Sequence, residues 1–285
     1  MSEMNSCMHV TNGKKKIRMT SIQQSHILCL LVIFFLLVSE TDRMHVRRPF
    51  DDHYLRTHWL SAPINLFLRS QMHFSLREKV IAPINRKTFP NVALIRQAFS
   101  VIKEEALDAY RQSEQINKDL FFYRIADRGW KRFYLKWYGP PDPEAQRVCP
   151  RTVELLKSMP NVHLAMFSIL EPGSVIKPHS GPFRGCYRYH MGILTPNDDR
   201  CHIKIGGETY SWRDGEDVLF DDTFHHEVRN DTDKVRIVLF MDVQRPMRTR
   251  VGNTANDWFI KNIVPLSTRA NDKQEAKSLV RGKVA

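Results

Sequence analysis

The stretch YRYHMGILTPNDDRCHIKIGGETYSWRDGEDVLF, at residues 187–220, contains four short runs of β-favouring residues separated by turn residues. Its central Gly206-Gly207 pair is typical of the tight turn of a hairpin. Similar runs flank this stretch at residues 133–138, 162–170 and 235–243. Short strands repeated at this spacing favour a sandwich or barrel-like sheet of mainly antiparallel strands.

Two segments upstream of the strands have the spacing of amphipathic helices. In the first, between residues 59 and 76, the recurring apolar residues are Leu60, Ile64, Phe67, Leu68, Met72 and Leu76, with Pro63 near the start. This helix would pack on the core, which is the commoner outcome, or lie at a membrane interface. In the second, between residues 91 and 115, one face carries Phe99, Ile102, Ala106 and Tyr110. We therefore predict an α+β protein, mainly antiparallel β, with a helical N-terminal flank.

The composition excludes several classes of protein. The chain has 285 residues, of which 42% are hydrophobic and 26% are charged, which excludes a coiled coil, a collagen and a largely disordered polymer. Half of the net charge of +12 lies in residues 244–285, whereas the basic and acidic side chains of residues 61–243 are nearly equal in number. A nucleic-acid-binding domain usually has its excess of basic side chains on the folded core, so we expect no nucleic-acid partner. The basic C-terminal tail would either contact an anionic surface or simply be exposed to solvent. The five cysteines form no CxxC pair, which argues against a cysteine zinc site.

The N-terminal region has the order of a targeting segment. Lys14, Lys15, Lys16 and Arg18 precede an unbroken apolar run at residues 27–38. A cleaved signal peptide and a short signal anchor both fit this order. Small residues are missing at the cleavage positions, so we favour an uncleaved single-pass anchor and a membrane-associated protein.

Two of the twelve histidines stand out by position. His179 follows the strand that ends at Leu170 and its Pro172-Gly173 turn, and His226 begins another strand. Imidazole nitrogen is a common ligand of divalent transition metals, so two histidines on adjoining strands could share one ion. The alternative is that each is an ordinary hydrogen-bonded core or surface residue.

Three further residues belong to this group. Arg188 and His190 lie two residues apart in one strand and therefore share a face. Arg236 begins an otherwise apolar strand, where a buried cation needs an anion. That anion is either Asp221 or Asp222 of the chain itself or the carboxylate of a bound co-substrate.

The sequence around these residues resembles the aspartyl/asparaginyl β-hydroxylase family of iron(II)- and 2-oxoglutarate-dependent oxygenases, whose fold is a double-stranded β-helix. The segments that carry the resemblance are PHSGPFRGCYRYHMGILTPN at 178–197, YSWRDGEDVLFDDTFHHEVRNDTDKVRIVLFMDVQRP at 210–246, GWKRFYLKWYG at 129–139 and CPRTVELLKSMPNVHLAMFSILEPGS at 149–174. The two upstream segments are more similar to the bacterial lipid A hydroxylase branch than to the peptide-modifying branch.

The resemblance implies roles for individual residues. It makes His179 and His226 the ligands of Fe(II), in preference to the neighbouring His225. It makes Arg236, assisted by Ser168, the anchor for the far carboxylate of 2-oxoglutarate. It also brings Arg188, as a catalytic residue, and His190 close to the end of the co-substrate that meets the metal.

Gly181 is a departure from most oxygenases of this kind, which have a carboxylate ligand at that position. The peptide β-hydroxylases share this glycine, whereas the lipid A branch often has aspartate there. A vacant ligand position could also admit halide, which keeps halogenation as a minor alternative.

The resemblance implies hydroxylation of an unactivated C–H bond with Fe(II), 2-oxoglutarate and O2. We expect the substrate to be an acyl chain of an anionic glycolipid such as lipid A. The alternatives are a peptidyl aspartate or asparagine and, in another class, a non-catalytic β-helix that only binds. The predicted segments are an N-terminal region at 1–45, a helical flank at 46–120, a catalytic β-helix at 121–247 and a basic tail at 248–285.

Overall fold

The computed structural model describes residues 62–77, 79–116 and 129–265. The helices are α1 (Ala62–Gln71), α2 (Val92–Gln97), α3 (Phe99–Ile116), α4 (Pro143–Val148), α5 (Pro150–Lys157) and α6 (Arg250–Asn262). The strands are β1 (Ile81–Ala82), β2 (Trp130–Trp137), β3 (Val162–Leu170), β4 (Ser174–His179), β5 (Cys186–Leu194), β6 (Cys201–Ile205), β7 (Glu208–Ser211), β8 (Asp217–Phe220), β9 (His226–Asn230) and β10 (Arg236–Gln244).

The strands form two antiparallel sheets. The larger sheet has the order β1-β8-β5-β10-β3-β2, and the smaller has the order β4-β9-β6-β7. Consecutive strands such as β4 and β5, or β8 and β9, lie in different sheets, which is the winding of a double-stranded β-helix, or jelly roll. The fold class predicted from the sequence is therefore confirmed.

The larger sheet is covered on both faces, so its strands have nearly continuous apolar runs. Along β10, Ile237 and Leu239 pack with the helices, whereas Val238 and Phe240 pack against the smaller sheet. This alternation follows the period of two along a strand. The space between the sheets is where the inward-facing polar side chains of β5 and β10 lie.

The helical flank packs as its apolar pattern predicts. Ile102 and Ala106 of α3 are buried on the outer face of the larger sheet, and Phe99 and Tyr110 pack at the edge of the same cluster. Leu68 of α1 and Met72, which directly follows the helix, are buried against Met247, whereas Phe67 is exposed. Packing on the core, rather than contact with a membrane interface, accounts for the buried side of α1.

The predicted strands agree with the structure, and the run predicted at 162–170 matches β3 residue for residue. Gly206 and Gly207 both have positive φ and join β6 to β7 in the expected hairpin. The strand β4 was not predicted. Its sequence, SVIKPH, includes a lysine and a proline and is only partly buried, which conceals the strand pattern.

The described residues contradict the prediction of a membrane-associated protein with a single-pass N-terminal anchor. Within those residues no helix has both the length and the apolar character needed to span a bilayer. The longest described helix, α3, has 18 residues but contains Lys103, Glu104 and Glu105. The apolar run at 27–38, on which the prediction rested, lies outside the described residues.

Candidate active site

The structure brings the two histidines together. His179 ends β4, His226 begins β9, and the two residues are direct partners in the antiparallel pairing of these strands. A bulge between Ile176 and His179 turns the end of β4. The centroids of the two imidazole rings are 4.2 Å apart, with 53° between the ring planes. Two imidazoles at this separation are close enough to bind one metal ion.

Both rings are oriented by the same kind of hydrogen bond. The Nδ1–H of His179 donates to the carbonyl oxygen of Lys177, and that of His226 donates to Phe224, each at 2.8 Å. In a neutral ring this arrangement leaves the lone pair on Nε2, which is the state that a metal ion requires. Burial and the neighbouring His179 also hold the pKa of His226 well below its usual value, which keeps the ring neutral.

His225 has a different environment. It is only half buried, and its carbonyl oxygen accepts a hydrogen bond from the backbone N–H of Gly206. His226 is the buried member of the pair and packs edge-on against Phe220. This difference in burial supports the choice of His226 over His225 as the partner of His179.

Gly181 lies against the carboxylate of Asp222. Its backbone N–H donates to the carbonyl oxygen of Asp222 at 2.7 Å, and a Cβ at position 181 would lie 1.9 Å from Oδ2 of the same residue. A side chain at this position would therefore displace the Asp222 carboxylate, which is paired with Arg188. Among the described residues no group of three or more His, Cys, Asp or Glu side chains is arranged to hold a metal ion, so the candidate centre is a pair of histidines.

Arg236 is a buried cation, and none of the described residues is an acidic partner for it. Its side chain is fully buried, its Nε and Nη2 atoms have no hydrogen-bond partner, and its guanidinium carbon lies 4.8 Å from the centroid of the Trp212 ring. Burial lowers the pKa of Arg236 to about 10, so the group stays charged at neutral pH. Its position at the start of β10 points it into the space between the sheets.

The alternative in which Arg236 pairs with Asp221 or Asp222 is wrong, because both aspartates have other partners. Oδ2 of Asp221 lies 2.6 Å from Nη2 of Arg245, and Oδ2 of Asp222 lies 2.8 Å from Nη1 of Arg188. An isolated buried charge is costly unless an anion neutralises it. The geometry therefore fits an external anion beside Arg236.

Ser168 and His190 face the same interior. Ser168 opposes Val238 on β10, and its Oγ accepts a hydrogen bond of 2.9 Å from Nε1 of Trp130, which leaves its hydroxyl hydrogen able to donate to a ligand. His190 is buried, and both of its ring nitrogens lack a partner. Burial and the positive charge of Arg236 hold the pKa of His190 well below its usual value.

Arg188 lies between two carboxylates. Besides Asp222, it contacts Asp242, whose Oδ1 accepts from Nε and Nη2 at 3.1 Å each, and its guanidinium lies over the Phe240 ring. Burial by itself lowers the pKa of Arg188, but the two carboxylates raise it above its ordinary value. Asp242 is fixed in turn by the hydroxyl of Tyr138, which donates to Oδ2 at 2.7 Å.

Comparison with known families identifies the chain. The family profile of the aspartyl/asparaginyl beta-hydroxylases matches residues 96–246, which is more than half of the 285-residue chain. The chain belongs to the aspartyl/asparaginyl β-hydroxylase family. The match includes each of the site residues named above.

Several curated proteins are similar to this family member. An ornithine lipid ester-linked acyl 2-hydroxylase from Rhizobium tropici is 34% identical over 169 residues, covering 57% of this chain and 60% of that protein. The human aspartyl/asparaginyl beta-hydroxylase is 27% identical over 188 residues, covering 64% and 24%. The human aspartate beta-hydroxylase domain-containing protein 2 is 39% identical over 126 residues, covering 41% and 34%. The chain therefore spans less than two thirds of each of these relatives.

Sequence reasoning missed several residues around the site of this hydroxylase-family member. Trp212 provides the ring under Arg236, and its Nε1 and the hydroxyl of the neighbouring Tyr210 are buried without a hydrogen-bond partner. Asp222 and Asp242 hold Arg188. The signal for Trp212 was its position two residues after Tyr210 in ETYSW, which gives both side chains the same face.

Proposed function

We propose that the protein is an Fe(II)- and 2-oxoglutarate-dependent oxygenase that hydroxylates an acyl chain of a lipid. The observation that carries the proposal is Arg236, a buried guanidinium without an acidic partner among the described residues, in a fold that pairs His179 with His226. A dicarboxylate co-substrate supplies the anion that Arg236 lacks. A purely structural role gives no reason to bury this charge alone.

The histidine pair is suited to Fe(II). Imidazole nitrogen is a good ligand for this ion, and two protein ligands leave open positions for a chelating co-substrate and for oxygen. The hydrogen bonds to Lys177 and Phe224 fix both rings before a metal arrives. When bound, Fe(II) and 2-oxoglutarate use O2 to convert a C–H bond into C–OH, with succinate and carbon dioxide as co-products.

The remaining residues bind and orient the co-substrate. Arg236 would form a charge-assisted, bidentate pair with the far carboxylate of 2-oxoglutarate, and the Ser168 hydroxyl would donate to the same group. His190 is neutral and has two unsatisfied nitrogens, so it can meet the polar end of the co-substrate nearer the histidine pair. The aromatic rings of Trp212, Phe220 and Phe240 surround His190 and exclude water.

Arg188 has a more restricted part in this proposal than the resemblance implies. Its charge is already balanced by Asp222 and Asp242, so it is less suited than Arg236 to holding a second carboxylate by itself. Arg188 pairs with Asp222, which lies against Gly181. It also pairs with Asp242, which accepts a hydrogen bond from Tyr138 at the edge of the larger sheet. Arg188 would thus orient the groups next to the metal position while contributing positive potential to the co-substrate.

The lipid substrate is proposed from two observations. The relative from Rhizobium tropici, whose name describes hydroxylation of a lipid acyl chain, is 34% identical, against 27% for the human aspartyl/asparaginyl beta-hydroxylase. The segments at 129–139 and 149–174 are also more similar to the lipid-modifying branch. Hydroxylation of a peptidyl aspartate or asparagine is the second candidate, supported by the family profile.

The test is a reaction with purified full-length protein, Fe(II), 2-oxoglutarate and O2. Detergent-dispersed lipids with ester-linked acyl chains form one arm, and peptides containing aspartate or asparagine form the other. We expect succinate formation that depends on lipid, together with lipid products that have gained one oxygen atom. Oxygen gain on the peptides alone would transfer the assignment to the peptide branch. Absence of succinate in both arms would favour a non-catalytic binding protein.

A further inference from the structure

An exposed aromatic ring lies between two arginines at the junction of α1 and α6. Phe74 is 70% exposed, and the guanidinium carbons of Arg77 and Arg248 lie 4.7 and 5.4 Å from its ring centroid. We call these three residues the Phe74 cluster. Phe74 is the most exposed large apolar side chain among the described residues, and cation–π contacts hold the two arginines beside its ring.

The two arginines of the Phe74 cluster have no acidic partner in the described part of the chain. Other surface arginines do have one: Arg96 pairs with Asp217, Arg147 with Glu144 and Arg200 with Asp198. The Nε atom of Arg77 is buried and has no hydrogen-bond partner among the residues that the structure describes. Two unneutralised guanidinium groups beside one ring form a surface suited to phosphate or carboxylate.

Phe74 and Arg77 lie on a segment that contacts the loop after His179 and the loop before His226. At one end, the side chain of Asn65 donates to the Pro182 carbonyl oxygen and accepts from the backbone N–H of Arg184, each at 2.9 Å. At the other end, the carbonyl oxygen of Val80 accepts from the backbone N–H of Asp221 at 2.9 Å. The segment between Asn65 and Val80 therefore borders the candidate active site on the side of the two loops that adjoin His179 and His226.

Arg248 is fixed to this segment from the other side. Its backbone N–H donates to the carbonyl oxygen of Gln71 at 2.8 Å, and the Thr249 hydroxyl donates to Oε1 of Gln71 at 2.5 Å. Gly252 packs closely on the same glutamine, since a Cβ there would lie 2.7 Å from the Gln71 Cβ. The two arginines are thus held on either side of the ring by the fold and do not depend on one flexible loop.

We infer that the Phe74 cluster binds the anionic headgroup of the lipid substrate, an inference that rests on the proposed function. Arg77 and Arg248 would contact the headgroup phosphate or carboxylate, and Phe74 would contact the first carbons of the lipid. Charge complementarity selects a lipid with a negative headgroup over a zwitterionic or neutral one. This arrangement brings a lipid to the rim of the site by its polar end, with the acyl chain directed toward the histidine pair.

The test is binding of full-length protein to mixed micelles of phosphatidylglycerol in an uncharged detergent, measured by titration calorimetry. Each arginine near an anionic lipid surface contributes about 1 kcal/mol, so the double substitution R77Q/R248Q should weaken binding about 25-fold. The matched control is R86Q/K87Q, which removes the same charge from two exposed residues between β1 and α2. Phe74→Ser should weaken binding by less, because it removes apolar contact and keeps both charges.

The outcomes separate the possible ligands. Equal weakening in both double variants, or displacement of the micelles by inorganic phosphate or an acidic peptide, would overturn the inference. Failure of the unaltered protein to bind the anionic micelles would overturn it as well. Consumption of 2-oxoglutarate by the unaltered protein with detergent-dispersed lipid is measured separately, and its absence would count against the proposed function and not against headgroup binding.

Discussion

Arg236 is the residue whose environment is hardest to explain without a ligand. The Trp212 ring covers one face of its guanidinium, and two of its nitrogens have no partner. For Arg236→Lys we predict a rise in the KM for 2-oxoglutarate of about 10- to 100-fold, because lysine keeps the charge but cannot form the planar, bidentate pair. Steady-state turnover at varied 2-oxoglutarate measures this rise.

Two controls accompany that measurement. Arg229→Lys makes the same change on an exposed residue of β9 and should leave the KM unchanged. Iron content, measured by metal analysis, should be the same in Arg236→Lys and in the parent. A normal 2-oxoglutarate titration of Arg236→Lys would disprove the carboxylate-anchoring role.

The two neighbouring histidines should differ sharply in metal binding. Replacing His179 or His226 by alanine should abolish Fe(II) binding and turnover, because each variant would lose one of the two proposed ligands. His225→Ala should retain both, since His225 is half exposed and bonds to Gly206 only through its backbone. Equilibrium dialysis with Fe(II) under anaerobic conditions checks binding without relying on activity. Equal losses in all three variants would refute the assignment.

At the scale of elements, one buried carboxylate joins α3 to the start of α5. The two Glu105 oxygens accept hydrogen bonds from the backbone N–H groups of Arg151 at 3.0 Å and Thr152 at 2.8 Å. We predict that Glu105→Gln lowers the free energy of unfolding by about 1–3 kcal/mol, because its amide group presents donors where an acceptor is needed. Chemical denaturation measures the change.

Glu104 is the matched control for Glu105. It pairs with Arg151 on the exposed surface at 2.7 Å, so Glu104→Gln should cost no more than about 1 kcal/mol. A larger effect at Glu104 than at Glu105 would show that the helix is held by its surface ion pair and not by the buried cap.

The pairing of β3 with β10 should make stability sensitive to acid through His163. Its Nε2–H donates to Oε1 of Gln244 at 2.8 Å, and burial lowers its pKa below the ordinary 6.5. Below pH 6.5 the unfolded chain takes up a proton that the folded protein does not, so stability falls as the pH decreases. His163→Gln should flatten this fall between about pH 7 and pH 5, as thermal unfolding would measure. The exposed His73→Gln should leave it unchanged.

At the scale of the whole molecule, local patterns and long-range pairings were predictable to different degrees. The continuous apolar run of β10 and the glycine pair after β6 are local signals, and both gave correct elements. The packing of Trp212 under Arg236 was not predictable, because it depends on which strands of the two sheets face each other. The same applies to the contacts of Arg188 with Asp222 and Asp242, which join residues 34 and 54 positions apart.

The family resemblance predicted the site residues, and their roles as ligands and anchors stay predictions. The sequence left two partners open for Arg236, and neither aspartate proved to be one, because each is paired with a different arginine. Which arginine pairs with which aspartate in the protein interior depends on how several strands are aligned with one another. No spacing along one strand contains that information.

Binding of metal and co-substrate should stabilise the whole molecule in two separable steps. A ligand at about 100 times its Kd adds roughly 2.7 kcal/mol, which in a domain of this size raises Tm by about 5 to 10 °C. Fe(II) under anaerobic conditions should give one increment, and 2-oxoglutarate should add a second, because in the proposed site it would neutralise Arg236 and bind beside the histidine pair. A chelator should remove most of both increases in Tm.

The two increases should respond differently to substitutions. In differential scanning fluorimetry, Arg236→Lys should keep the increase caused by Fe(II) and lose much of the increase caused by 2-oxoglutarate, whereas His226→Ala should lose both. A full 2-oxoglutarate increment in metal-free protein would show that the co-substrate binds away from the histidine pair.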